Sequence, residues 1–146
     1  IASYNISSGT WSPLGTGLNG YVSALALSSD GNTLYVGGEF TYTSDNSTQL
    51  NHIASYNISS GVWSALGTGL NNLVNAIVLS SNGTLYVGGC FTSTNDDPPI
   101  SLNYIASYNI GSGIWSALGT GLNNFVSTIN KTSKTISRKI KKIFGF

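Results

Sequence analysis

A segment of nineteen residues occurs three times in this chain at a fixed spacing of 52 residues, and no other feature restricts the fold as tightly. Ile1 opens IASYNISSGTWSPLGTGLN, Ile53 opens IASYNISSGVWSALGTGLN and Ile105 opens IASYNIGSGIWSALGTGLN. The first two copies differ only at Thr10/Val62 and Pro13/Ala65, the second and third only at Ser59/Gly111 and Val62/Ile114. The stretch between copies recurs as well, as VSALALSSDGNTLYVGGEF from Val22 and VNAIVLSSNGTLYVGGCF from Val74. A unit repeated with this fidelity is a supersecondary element that buries its apolar faces by stacking on its neighbours.

Each unit reads as four short strands. IASYN alternates, with Ile1 and Ser3 on one side and Ala2 and Tyr4 on the other; the WSPLG run follows a polar, glycine-containing turn. VSALAL alternates again, and TLYVGG follows Asp30-Gly31 or Asn82-Gly83, dipeptides that favour hairpin turns. The apolar runs are too short for helices and are bounded by Gly, Asn and Ser. Four strands per unit of about fifty residues is the arithmetic of a β-propeller blade.

At the level of residues the units resemble kelch-type repeats, in which a diglycine after an apolar strand precedes a Tyr and a Trp separated by six residues. Gly37-Gly38 is followed by Tyr56 and Trp63, and Gly88-Gly89 by Tyr108 and Trp115; Tyr4 and Trp11 form the same pair without a diglycine ahead of them. The resemblance covers residues 1–129 and implies an all-β propeller used mainly as a binding scaffold. The glycines are expected to provide positive φ or close backbone approach, and Trp11, Trp63 and Trp115 to pack between adjacent blades.

Counted this way, the chain holds two complete blades, at about 21–67 and 73–119. Two outer strands lie within 1–15 and one inner strand within 125–129. Three blades fall short of the four to eight with which propellers close. An open arc leaves apolar blade faces uncovered and strand edges without a deterring lysine. Three arrangements answer this. The chain is a fragment of a longer protein, as its start at Ile rather than Met favours; or chains assemble, two of them completing a six-bladed ring; or the units stack into another all-β form.

Charge is scarce and segregated. Only 8% of the 146 residues are charged; all five acids lie between Asp30 and Asp97, and all six bases between Lys131 and Lys142. Residues 1–130 carry −5 and the remainder +6, so the net +1 is an average of two unlike pieces. The 11% aromatic content excludes charge-driven disorder, and no apolar run reaches the roughly 18–20 residues of a membrane span. The single cysteine, Cys90, excludes an internal disulfide and a thiolate-rich zinc site.

Residues suited to catalysis are few. His52 is the only histidine, and Tyr104 replaces it in the next unit. Cys90 stands where the preceding unit has Glu39, and nothing at motif-like spacing completes a proton relay. Asp45-Asn46 and Asp96-Asp97 offer oxygens but not the ordered ligand series of a calcium loop. Gly15-Thr16-Gly17, Gly67-Thr68-Gly69 and Gly119-Thr120-Gly121 lack the lysine and the following helix of a phosphate loop. No catalytic, cofactor-binding or metal-binding residue is therefore assigned.

Residues 130–146 break the repeat. Ile136, Ile140, Ile143 and Phe144 fall at helical spacing among lysines, a cationic amphipathic pattern suited to an anionic surface or partner, or to packing on the acidic body. No base-reading motif accompanies it, so specific nucleic-acid recognition is not expected. Sequons occur at Asn5, Asn46, Asn57, Asn82 and Asn130, against about four by chance at this composition. The expectation is a non-enzymatic repeat scaffold for protein binding or structural assembly, its partner another protein or a second copy completing the ring. The composition suits an extracellular, surface or virion component. The alternative is a fragment of a propeller enzyme, oxidase or glycan-active, with its catalytic residues outside this chain.

Overall fold

The computed structural model describes residues 1–129, so the basic tail at 130–146 lies outside the described residues. Ten strands form three antiparallel sheets in sequence order, and no helix occurs among the described residues. The first sheet has only two strands, β1 (Ala2–Asn5) and β2 (Thr10–Pro13). The second is a four-stranded blade of β3 (Val22–Leu27), β4 (Thr33–Gly38), β5 (Ile53–Asn57) and β6 (Val62–Ala65). The third repeats it with β7 (Val74–Leu79), β8 (Thr84–Gly89), β9 (Ile105–Asn109) and β10 (Ile114–Ala117). The two complete blades and the amino-terminal outer hairpin fall where the repeat arithmetic puts them.

Local chemistry sets the hairpins. Between β3 and β4, Gly31 takes φ +73°, a conformation open to glycine at no steric cost, and its N–H donates to the Ser28 carbonyl at 3.0 Å. The Asp30 carboxylate accepts from the Ser28 hydroxyl at 2.5 Å and from the Asn32 amide at 3.1 Å, which holds its pKa below the ordinary value. Between β5 and β6 the Asn57 side-chain carbonyl accepts the Ser60 amide at 2.9 Å, and Asn5 and Asn109 repeat the bond in their units. These Asx turns fix register, so Tyr56 lies opposite Trp63 and Tyr108 opposite Trp115.

Two apolar clusters hold the blades. One joins Leu14, from the turn after β2, to Val36, Phe40, Leu50, Tyr56 and Trp63 of the first whole blade. The other spans the two blades, where Tyr35 and Ile53 meet Val74, Ile77, Val87 and Trp115. The diglycines are close-approach glycines. Neither pair has positive φ, and a Cβ on Gly37 would run into Val74 and Ile77 of the next blade, while one on Gly38 would strike the Tyr21 carbonyl. A small residue here lets β7 pack across β4.

Two sequence expectations need correction, and the polar-looking segment between Gly38 and Tyr56 adds to the core: Phe40 and Leu50 are fully buried and Thr43 nearly so. The bridge Tyr42↔Gln49 folds it back on itself, and Leu18↔Thr43 ties it to the stretch before β3. The expected inner strand at 125–129 is not a strand: Val126 and Ile129 lie against Gly88 as Val74 and Ile77 lie against Gly37, but no described strand pairs with them. A strand needs a ladder partner, and the sequence replaces the next TLYVGG with the basic tail. Finally, Trp11 is not in the core.

Candidate functional site

The three tryptophans occupy one position of the repeat and two different surroundings. Trp63 and Trp115 are 6% and 4% exposed, whereas Trp11 is 72% exposed. Each is tilted against its tyrosine in the same way, with ring centroids 4.9, 4.7 and 4.8 Å apart for Tyr4–Trp11, Tyr56–Trp63 and Tyr108–Trp115. What differs is the neighbour. The Trp63 indole N–H donates to the Leu14 carbonyl at 3.1 Å, and that of Trp115 to the Leu66 carbonyl at 3.0 Å. In both cases the indole lies over the Leu-Gly turn of the preceding unit.

That turn is shaped for the ring. Gly15 and Gly67 sit at φ +53° and +60°, and a Cβ on either would come within 3.2 to 3.3 Å of the indole. The turns at Gly15-Thr16-Gly17 and Gly67-Thr68-Gly69 are thus sockets for tryptophan. Trp11 pairs with its tyrosine in the same way but has no such socket among the described residues.

The same incompleteness marks the rest of the amino-terminal face. β5 is paired on both sides, with β4 and β6, and β9 with β8 and β10; β1 is paired with β2 alone. On β3, Leu25 and Leu27 are each 54% exposed, while Ile77, at the position of Leu25 in the next blade, is 7% exposed. An unpaired edge and an adjoining apolar face form one surface that the repeat ordinarily covers with the first two strands of a blade.

The other sequence candidates do not converge. Among the described residues no three His, Cys, Asp or Glu side chains come together as a metal site. His52 and Tyr104 both take φ +71° at a strand entry, and their carbonyls accept the Gly38 and Gly89 amides at 3.1 Å. His52 serves the entry of β5 through its carbonyl, and burial pushes its pKa down. Cys90 is half-buried and holds the Glu39 position, each donating its amide to the carbonyl just before the first strand of its own blade (Leu73 and Tyr21). Asp96 accepts from the Thr68 hydroxyl at 2.8 Å, and Asp45 from the Thr43 hydroxyl at 2.6 Å, so both acids brace loops. Asn5, Asn46, Asn57 and Asn82 are exposed.

One open cavity of ≈ 570 Å³ lies on the loop side, lined by Gln49, Asn51, Ala65, Gly67, Thr68 and Asn95. Its polar groups serve the fold: the Asn51 side-chain amide donates to the Thr68 carbonyl and that of Asn95 to the Leu70 carbonyl, both at 2.8 Å. No acid, base or thiol faces it among the lining residues.

Comparison with known proteins agrees with this architecture. The Rax2 C-terminal beta propeller domain matches residues 1–142. The polarized growth protein rax2 of Schizosaccharomyces pombe is 37% identical over 130 residues; the match covers 86% of this chain and 10% of that protein, so the chain spans about a tenth of its relative. Among solved structures, U3-55K superposes with a TM-score of 0.56 at 17% identity, over 88% of this chain and 35% of the other. The RRP9 WD40 repeats do so with a TM-score of 0.56 at 16% identity, over 88% and 34%. At that identity these two likenesses concern the fold alone. The chain is an all-β partial propeller and belongs to the Rax2 C-terminal beta propeller domain family.

Proposed function

We propose that this chain is a non-enzymatic scaffold segment whose work is blade-to-blade assembly and protein binding, with residues 1–129 as the propeller part and 130–146 as a separate basic tail. The observation that carries the reading is the contrast between Trp63, seated on the Leu14-Gly15 turn, and Trp11, identical in sequence context and 72% exposed. The amino-terminal face keeps the groups with which a blade binds its neighbour, and among the described residues no strand covers them. The relative's role as a polarized growth protein fits a scaffold, and the polar groups of the open cavity are engaged in holding loops. The kelch resemblance and the WD40 likeness agree on the propeller; which subdivision applies does not alter this reading.

The test is to place a copy of residues 21–52 ahead of Ile1, the order in which those residues precede Ile53. The added unit is expected to pair with β1, to cover Leu25 and Leu27, and to lower the binding of an apolar dye such as anilinonaphthalene sulfonate. An added unit that stays protease-sensitive while dye binding is unchanged contradicts the reading.

A further inference from the structure

Two Asn-Gly pairs occur in this chain, Asn19-Gly20 and Asn82-Gly83. Such a pair can react with itself, because glycine presents its main-chain nitrogen to the preceding side-chain amide with no Cβ in the way. The nitrogen loses its proton and attacks Cγ, ammonia leaves, and a five-membered succinimide closes. Water then opens the ring at either carbonyl, giving aspartate or isoaspartate. The fold treats the two pairs differently.

Asn82 lies exposed in the turn between β7 and β8. Its Oδ1 accepts from the Ser80 hydroxyl, and from the Thr84 amide at 3.2 Å. Two donors on that oxygen meet the negative charge that gathers there as the nitrogen attacks. Gly83 takes φ +79°, and nothing stands within 4 Å of where its Cβ would be, so the peptide plane has room to swing onto the side chain. Its amide donates to the Ser80 carbonyl at 3.3 Å, a bond inside the same turn that opens without disturbing the blade.

Asn19 is held in place instead. Its Oδ1 accepts the Thr41 and Tyr42 amides at 2.9 and 3.0 Å, and its Nδ2, the leaving group, donates to the Thr41 hydroxyl at 3.2 Å. A Cβ on Gly20 would come within 2.8 Å of the Phe40 main chain. Bringing the Gly20 nitrogen onto the Asn19 side chain therefore requires the loop after β4 to move away.

We propose that Asn82 is a self-modifying site of the second whole blade, converted by its own Gly83 nitrogen to aspartate and isoaspartate while Asn19 stays intact. The products differ in consequence. Aspartate is already the residue of the first blade at this position, where Asp30 accepts from the Ser28 hydroxyl at 2.5 Å and the Asn32 amide at 3.1 Å. It adds a negative charge and keeps the hairpin. Isoaspartate routes the main chain through the side chain and lengthens the turn by a methylene. The Leu79↔Leu85 register and the Gly83 carbonyl, which accepts the Ile110 amide at 3.1 Å, then have to give.

The test is incubation of the full chain in mildly alkaline buffer, folded and in urea, followed by peptide mass mapping. Production in a bacterial host keeps the Asn82 sequon free of glycan, and electron-transfer fragmentation separates the two products. In the folded chain the Asn82 peptide is expected to gain about 1 Da. Asn19 is expected to react at least about 10-fold more slowly, the weight of the additional hydrogen bonds that must open first. In urea the two are expected to react at comparable rates. Asn82→Gln, whose longer side chain closes the ring poorly, is expected to lose the mass gain, and Asn82→Asp to melt with the parent. Conversion of Asn19 as fast as Asn82 in the folded chain, or conversion of Asn82 in urea alone, overturns the proposal. An Asn82→Asp chain that melts well below the parent overturns the likeness to Asp30.

Discussion

The Trp63 indole N–H reaches back 49 residues to the carbonyl of Leu14, and Trp115 reaches the same distance to Leu66. Each blade is therefore pinned to the unit before it by one aromatic side chain on a glycine-shaped turn. A donor so placed is buried only because a neighbour exists. The same residue type at the head of the array, Trp11, stands in solvent.

The tryptophans should accordingly differ in energetic weight despite their shared sequence context. Trp63→Ala and Trp115→Ala are expected to destabilise the chain by about 3–5 kcal/mol each, the range for truncating a buried aromatic. Trp11→Ala, at an exposed position, is expected to stay within about 0.5 kcal/mol of the parent. Urea unfolding of the three variants checks this.

At the blade junction, Gly37→Ala places a methyl group against Val74 and Ile77. The expected cost is about 1–3 kcal/mol from overpacking. Shortening Val74 to Ala in the same chain should recover part of it, so the double variant is less destabilised than the sum of the singles. Additive losses measured in a double-mutant cycle speak against direct contact.

The one histidine provides a pH test. Burial lowers the pKa of His52 in the fold from 6.5, its Nδ1 is buried without a partner, and Glu39 is the charged group whose field acts on it. The unfolded chain then binds the proton more readily than the folded one. The stability this contributes is present above the unfolded pKa of about 6.5 and is lost as pH falls below it. His52→Tyr, which installs the residue found at 104, should flatten the pH dependence of the melting temperature between pH 5 and 7 by removing that titration.

Much of this fold was legible in residues alone. Repeat spacing located both whole blades and the outer hairpin, and Asp30-Gly31 and Asn82-Gly83 located the hairpins, because turn chemistry and period-2 alternation are local. What was missed depends on neighbours. Phe40 and Leu50 sit among polar residues, and only their recurrence as Phe91 and Leu102, all four fully buried, betrays a core role. Phe40→Ala should cost about 3–5 kcal/mol in thermal unfolding, as a core aromatic does and a loop residue does not. Trp11 shows the reverse: its sequence context is that of a core residue, yet among the described residues no Leu-Gly turn seats it and it stands in solvent. The glycines in the repeated Leu-Gly turns gave no hint of function until the indoles above them were seen.

The central claim is that position in the array, and not local sequence, decides what these strands can hold. Ile-Ala-Ser-Tyr-Asn occurs identically at 1–5, 53–57 and 105–109, so the three copies share much of their intrinsic exchange chemistry and differ in ladder partners. Amide hydrogen exchange resolved to these segments is the most direct measurement. The account predicts strong protection in β5 and β9, paired on both sides, and exchange in β1 faster by orders of magnitude, since one edge lies open. Equal protection of all three copies would contradict it.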